Sequence, residues 1–208
     1  MKPVRNQRGL ESMITSLTHR PVKKRTRKGV TSVILIGFMG AGKSHCGKVL
    51  AKELGWRYRD SDAIIEKREK KTIRQIFKEK GESHFRTVES KVIKDLLKKP
   101  YSVLSFGGGA VCRKVNRALI KKGGLVVWVK ANPDVICKRT KKSKSRPLLN
   151  GDTSKKEMLQ LLKERENYYK QCSAISILNN GGAVLPRLKR IRQIRQIVKK
   201  QRTNGHAL

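Results

Sequence analysis

Short runs of consecutive apolar residues alternate along this chain with longer stretches whose apolar positions recur every three or four residues. The runs are TSVILIG (31–37), YSVLSF (101–106), LVVWV (125–129) and AISIL (174–178). They are rich in β-branched residues and lack polar alternation, which predicts strands buried on both faces. A more polar strand is expected over 56–59, ending near Asp60. Helical spacing covers 43–54, where Val49, Leu50 and Leu54 recur and Gly55 supplies a stop. Further helices are expected over 63–69, 73–80, 82–98, 115–122, 133–139, 155–171 and 187–200. The 82–98 helix should be amphipathic, with Phe85 and Arg86 on a mostly surface element. Strand and helix in turn imply a five-stranded parallel sheet with helices on both faces and one core. Ligands of such sheets sit at the carboxyl ends of the strands.

Charge adds tails and a lid to this picture. The 208 residues carry a formal net charge of +36, and 37% are hydrophobic. Residues 1–30 hold nine Lys/Arg against one Glu, or +8, which leaves +28 for the rest. The 1–30 segment reads as a basic disordered arm, 31–200 as the folded domain and 201–208 as a flexible tail. The arm has no apolar core of a secretory signal; an organelle transit peptide is the alternative to a cytoplasmic extension. Residues 140–153 form a polar, Lys-rich loop expected to act as a mobile lid. No apolar run approaches the ~18 residues of a membrane span. So basic a surface attracts polyanions non-specifically, but aromatic residues are only 5% and no nucleic-acid motif is present. Cys46, Cys112, Cys137 and Cys172 are widely spaced and read as small core residues of a reducing compartment.

The chemistry starts at GFMGAGKS, residues 37–44, which matches the G-x-x-x-x-G-K-[ST] phosphate loop. Its glycines let backbone N–H groups wrap an anion, and the helix that follows aims its positive end at the phosphates. Lys43 is placed to neutralise the β/γ oxygens and Ser44 to offer a hydroxyl to Mg²⁺. Gly40, Ala41, Gly42, Lys43, Ser44 and His45 are the expected ATP contacts. With the strand order, this loop predicts a three-layer α/β/α P-loop fold.

What accepts the phosphate is written further along. Asp60 and Asp62 flank the end of the second strand; such a pair can support a cation and accept a substrate hydroxyl, or else Ser61 or Asp62 simply caps a helix at Ala63. Then come GESHFRTVE (81–89), GGGA (107–110), RPLL (146–149) and RENYY (165–169). An arginine in a cleft is a bidentate carboxylate clamp. Three glycines at a strand end permit close backbone approach.

In this order the phosphate loop and the five motifs resemble shikimate kinases, over about residues 31–200. The resemblance narrows the three-layer α/β/α architecture to the P-loop kinase fold and implies ATP-dependent phosphorylation of the shikimate 3-hydroxyl, to shikimate 3-phosphate, in the chorismate route to aromatic amino acids. It implies that Asp62 binds the ring hydroxyls and orients the attacking one, that Asp60 supports Mg²⁺ beside Ser44, and that Arg86 and Arg165 clamp the carboxylate with the Gly108 backbone completing the pocket. Arg146 would reach the transferring phosphate from the lid, and Arg139 would stack on adenine. Lys43, Asp62 and Arg146 are thus the expected catalytic residues, and a cytoplasmic monomer without a specific nucleic-acid partner is expected. His45 departs from the pattern, standing where a hydroxyl residue is usual, and Pro186 is shifted from the adenine-packing position. The rival readings are a gluconate-type P-loop kinase and an inactive kinase-like protein that binds nucleic acid through its charge.

Overall fold

In the computed structural model the strand Ser32–Ile36 (β1) is buried at all five positions, with a parallel neighbour on each side. The described residues are 30–141, 155–181, 193–198 and 200. Arg57–Asp60 forms β2, Ser102–Ser105 β3, Leu125–Lys130 β4 and Ile175–Leu178 β5, in the order β2-β3-β1-β4-β5 with every pairing parallel. The helices are Lys43–Leu54 (α1), Ser61–Glu69 (α2), Ile73–Leu96 (α3), Lys114–Gly123 (α4), Pro133–Lys141 (α5) and Lys155–Cys172 (α6); residues 193–198 are also helical.

Two cores flank the sheet, where the chain pattern suggested one. Ile34 and Ile36 of β1 point into a cluster with Ile65, Phe85, Ile93, Ile120 and Tyr169 from α2, α3, α4 and α6. Val33 and Leu35 point the other way, against Cys46, Leu50 and Ala51 of α1 and Ile194 and Val198 near the end of the chain. A central strand serving both faces has no room for polar alternation, which is why TSVILIG is an unbroken run. The edge strand β2 reads RYRD and is exposed to half-buried, as a sheet edge tolerates. Cys46, Cys137 and Cys172 are buried, Cys112 is half-buried, and all four are free thiols.

The expected break between helices 73–80 and 82–98 is a kink inside α3: Gly81 sits at φ 75° and ψ 172° with helix on either side. The second half of α3 is not a surface element. It buries Phe85, Glu89, Val92, Ile93 and Leu96.

The register aligns the carboxyl ends of β2, β3 and β1, since Ser105 is paired with both Asp60 and Leu35. From the adjacent strands β1 and β3 the connections leave in opposite directions, to β2 and to β4. That reversal opens a crevice at the strand ends.

Candidate functional site

The crevice holds two adjoining cavities, about 310 Å³ and 360 Å³, that share Met39, Ser44, Asp60, Asp62 and Gly108. The first follows the phosphate loop and also takes in Gly40, Gly42, Lys43, His45 and Arg139. The second runs toward α3 and α6 and takes in Phe85, Arg86, Glu89 and Arg165.

The loop is held by backbone geometry. Gly42 is the N-cap of α1 at φ 90°, in the left-handed region, and no side chain caps the helix. The first turn carries no acidic residue, so its N–H groups keep their affinity for an anion. Lys43 Nζ donates to the carbonyls of Gly37 (2.9 Å) and Phe38 (3.0 Å). His45 is exposed at the cavity rim. From the wall of the first cavity, Arg139 Nη1 donates to Gly40 O (3.0 Å) and Asn179 O (3.1 Å). Asn179 Nδ2 donates to Ala41 O at 2.8 Å. Arg139 and Asn179 together brace the loop through its carbonyls.

The two aspartates have different tasks. Asp60, not Ser61 or Asp62, caps α2: its Oδ1 accepts from the Asp62 amide at 3.0 Å. The helix begins two residues before the expected Ala63 because β2 runs straight into it. Asp60 Oδ2 accepts from Ser44 Oγ (3.1 Å) and from the Tyr58 hydroxyl (2.7 Å). Ser61 is taken up elsewhere, accepting the Gly107 amide at 3.0 Å. Asp62 is the floor shared by both cavities. Burial, reinforced by the nearby Asp60 charge, raises its pKa, while Lys43 acts in the opposite sense.

Among the described residues no group of three or more His, Cys, Asp or Glu could hold a metal by itself. The Ser44 hydroxyl and Asp60 carboxylate are hard oxygen donors beside a phosphate loop. That set fits Mg²⁺, which takes few protein ligands and completes its shell with phosphates and water.

The three glycines after β3 make room for protein side chains. A Cβ at Gly107 would lie 2.5 Å from Asp62 Oδ1, and one at Gly109 would lie 2.5 Å from Arg86 Nη1. At Gly108 the neighbour is the Met39 backbone N, at 3.2 Å. The Gly108 carbonyl accepts from the buried Tyr169 hydroxyl at 2.6 Å, whose ring stacks on Trp128.

Arg86 and Arg165 both reach the second cavity, but they are not equivalent. Arg86 donates through Nε (3.0 Å) and Nη2 (2.9 Å) to Glu82 Oε1 and through Nη1 to Glu89 Oε2 (2.9 Å). Burial works against the Arg86 charge, yet Glu89 and Glu82 outweigh it and hold its pKa above the ordinary value. Arg165 is 7% exposed, and its Nη1 is buried without a hydrogen-bond partner. Glu89 is its acidic counterpart, with Oε1 buried and unpartnered. Burial pushes the Glu89 carboxyl up to about 7 even though Arg86 favours its charged form. The motif pattern marked Arg86 and Arg165; it assigned nothing to Glu89, Tyr58, Asn179 or the Tyr169 hydroxyl. Glu89 was legible in principle, as the buried partner three residues beyond Arg86 on one helix. Residues 140 and 141, expected in the lid loop, instead close α5. Arg146, the 142–153 remainder of the expected lid, Pro186, the 187–192 part of the expected last helix, and the 1–29 and 201–208 tails lie outside the described residues.

The family model described as shikimate kinase matches residues 39–200. The shikimate kinase of Geobacter metallireducens is 42% identical over 140 residues, 67% of this chain and 78% of that protein. That of Rhizobium leguminosarum bv. trifolii is 39% identical over 161 residues, 77% of this chain and 82% of that protein. Among solved structures, a shikimate kinase from Acinetobacter baumannii in complex with shikimate superposes with a TM-score of 0.77 at 34% identity, covering 82% of this chain and 94% of that one. With a phosphate loop, a paired-aspartate floor and two arginines in one crevice, and with these matches over most of its length, the chain belongs to the shikimate kinase family.

Proposed function

We propose that this kinase moves the terminal phosphoryl group of ATP onto the 3-hydroxyl of shikimate, with the phosphates in the first cavity and shikimate in the second. The observation that carries the reading is Arg165, which lines a cavity floored by Asp62 and whose buried Nη1 has no hydrogen-bond partner. An unmet guanidinium N–H costs free energy until an anionic acceptor arrives. A small hydroxylated carboxylate satisfies it at one end and offers hydroxyls to Asp62 at the other.

In this reading the α1 amides, Gly40, Ala41, Gly42 and Lys43 hold the phosphate chain, with His45 at the rim and Arg139 on the adenine side. Ser44 and Asp60 would hold Mg²⁺, which when bound offsets charge on the β- and γ-phosphate oxygens. Asp62 accepts a hydrogen bond from the attacking hydroxyl and takes its proton as the new O–P bond forms and the bond from Pγ to the departing ADP oxygen breaks. Its raised pKa suits a proton acceptor. Arg165 and Arg86 orient the carboxylate, the Gly108 backbone closes one wall, and Arg146 arrives from the lid to share the charge of transfer. A cytoplasmic monomer is part of the proposal; among the described residues no helix is long and apolar enough to cross a membrane.

ADP release, measured with shikimate, quinate or gluconate as acceptor, tests the reading. Turnover should depend on shikimate and be at least about tenfold slower with the others. Equal or faster turnover with gluconate would overturn it.

A further inference from the structure

We propose that Tyr58 is a positioning residue for the cation side of the site, locking the Asp60 carboxylate through its hydroxyl; this rests on Ser44 and Asp60 as the Mg²⁺-bearing pair. Tyr58 and Asp60 lie two residues apart on β2 and therefore project from the same face of the strand. The Tyr58 hydroxyl donates to Asp60 Oδ2 at 2.7 Å, the shortest contact that carboxylate makes. Ser44 Oγ donates to the same oxygen at 3.1 Å, and the Asp62 amide takes the other at 3.0 Å. Three donors on two oxygens leave the carboxylate one orientation.

The ring is placed as firmly as its hydroxyl. A Cβ at Gly47, one turn along α1 from Ser44, would lie 2.5 Å from Tyr58 Cε2. The phenol thus lies flush on the α1 backbone and packs on the second core. Neither the phosphate-loop pattern nor the aspartate pair calls for a hydroxyl at this position. Phenylalanine would fill the same space, so the O–H has a task that packing does not require.

That task follows from the geometry. Because the Ser44 proton is directed to Asp60, the lone pairs of Ser44 Oγ stay available to a cation in the cleft. If Asp60 swung away, Ser44 would lose its fixed rotamer. Tyr58 prevents the swing, as outer partners of metal-site groups commonly do. It acts on the cation-dependent part of nucleotide binding and leaves the amide-dependent part alone.

The test is calorimetric titration of ADP with and without Mg²⁺ on the full chain and on Tyr58→Phe, Asp60→Ala and the double variant. In Tyr58→Phe, metal-free ADP affinity should stay within about twofold, the gain in affinity conferred by Mg²⁺ should fall by about tenfold, and shikimate KM should not move. Tyr58→Phe should cost nothing further in the Asp60→Ala background, as a residue acting through Asp60 requires. An undiminished Mg²⁺ gain in Tyr58→Phe, when Asp60→Ala abolishes it, would overturn the role of Tyr58 alone. Equal losses with and without Mg²⁺ would make Tyr58 merely structural and also overturn it. A Mg²⁺ gain that survives Asp60→Ala would sink the Ser44–Asp60 reading and this inference with it.

Discussion

The two halves of the crevice are built from different materials. The nucleotide half is mostly backbone: a loop, a helix terminus left without a side-chain cap, and Arg139 and Asn179 holding the loop by its carbonyls. The acceptor half is mostly side chain: Asp62 from α2, Arg86 and Glu89 from α3, and Arg165 from α6. A backbone site tolerates most side-chain changes around it, because amides cannot be mutated away. A side-chain site concentrates its energy in a few groups and is fragile at each of them.

That contrast is sharpest at Asp62, one of the groups both halves share. Asp62→Asn keeps the shape and removes the charge that draws the hydroxyl proton. We expect kcat to fall by at least ~10²-fold with ADP affinity unchanged. Steady-state kinetics within threefold of wild type would remove Asp62 from the mechanism.

Next in size are the two arginines. Arg165→Ala should weaken shikimate binding by ~2–4 kcal/mol, the range of a charge-assisted fork in a partly dry pocket. Arg86→Ala should cost less in binding, since Glu82 and Glu89 already engage that guanidinium, but more in thermal stability, since Glu89 loses its partner. Calorimetric titration and thermal melts separate the two; the opposite ranking would show that Arg86 is the principal clamp. Gly109→Ala should disturb the same residue indirectly. Its Cβ would press on the Arg86 guanidinium, and we expect shikimate KM to rise by roughly tenfold with ATP KM unmoved.

Protonation separates the halves more gently. The Glu89 carboxyl titrates near 7 in the fold against an ordinary 4.5. Between those values the folded state binds a proton that the unfolded state has released, so this group's contribution to stability falls as pH rises from about 4.5 to 7. Above about 7 the new charge also repels the shikimate carboxylate. Shikimate KM should therefore rise through neutral pH while ATP KM stays flat, and both the KM rise and the stability slope should shrink in Glu89→Gln. Smallest of all should be the effect of removing residues 1–29. The family match begins at residue 39, and we expect kcat within about twofold of the full chain.

The same contrast explains what could be read from the chain. Strands such as LVVWV announce themselves because a doubly covered sheet demands uninterrupted apolar residues. The phosphate loop is legible because its glycines and lysine are contiguous. β2 was harder, since an edge strand may be as polar as RYRD, and its direct run into α2 hid the capping role of Asp60. In the acceptor half composition and periodicity alone do not distinguish Arg86 from the other arginines; the GESHFRTVE motif does so only through its family resemblance. What sets it apart is burial beside Glu89 on the same helix and its place next to Arg165 of α6, and that juxtaposition exists only in the fold. Asn179 is the extreme case: nothing in LNN predicts a hydrogen bond to a carbonyl 138 positions earlier.

That bond also sets a timetable. During synthesis from the amino terminus, the phosphate loop emerges long before Asn179 exists. Until β5 docks on β4 and the Asn179 amide reaches Lys130 O, the Ala41 carbonyl lacks its partner and Arg139 lacks one of its two anchors. Nucleotide capture is then a late event in the life of the nascent chain, tied to a contact of long sequence separation and correspondingly slow closure. Ribosome-stalled chains ending at residue 173 should be poorly retained on immobilised ATP, and chains extended past residue 200, once clear of the exit tunnel, should be retained.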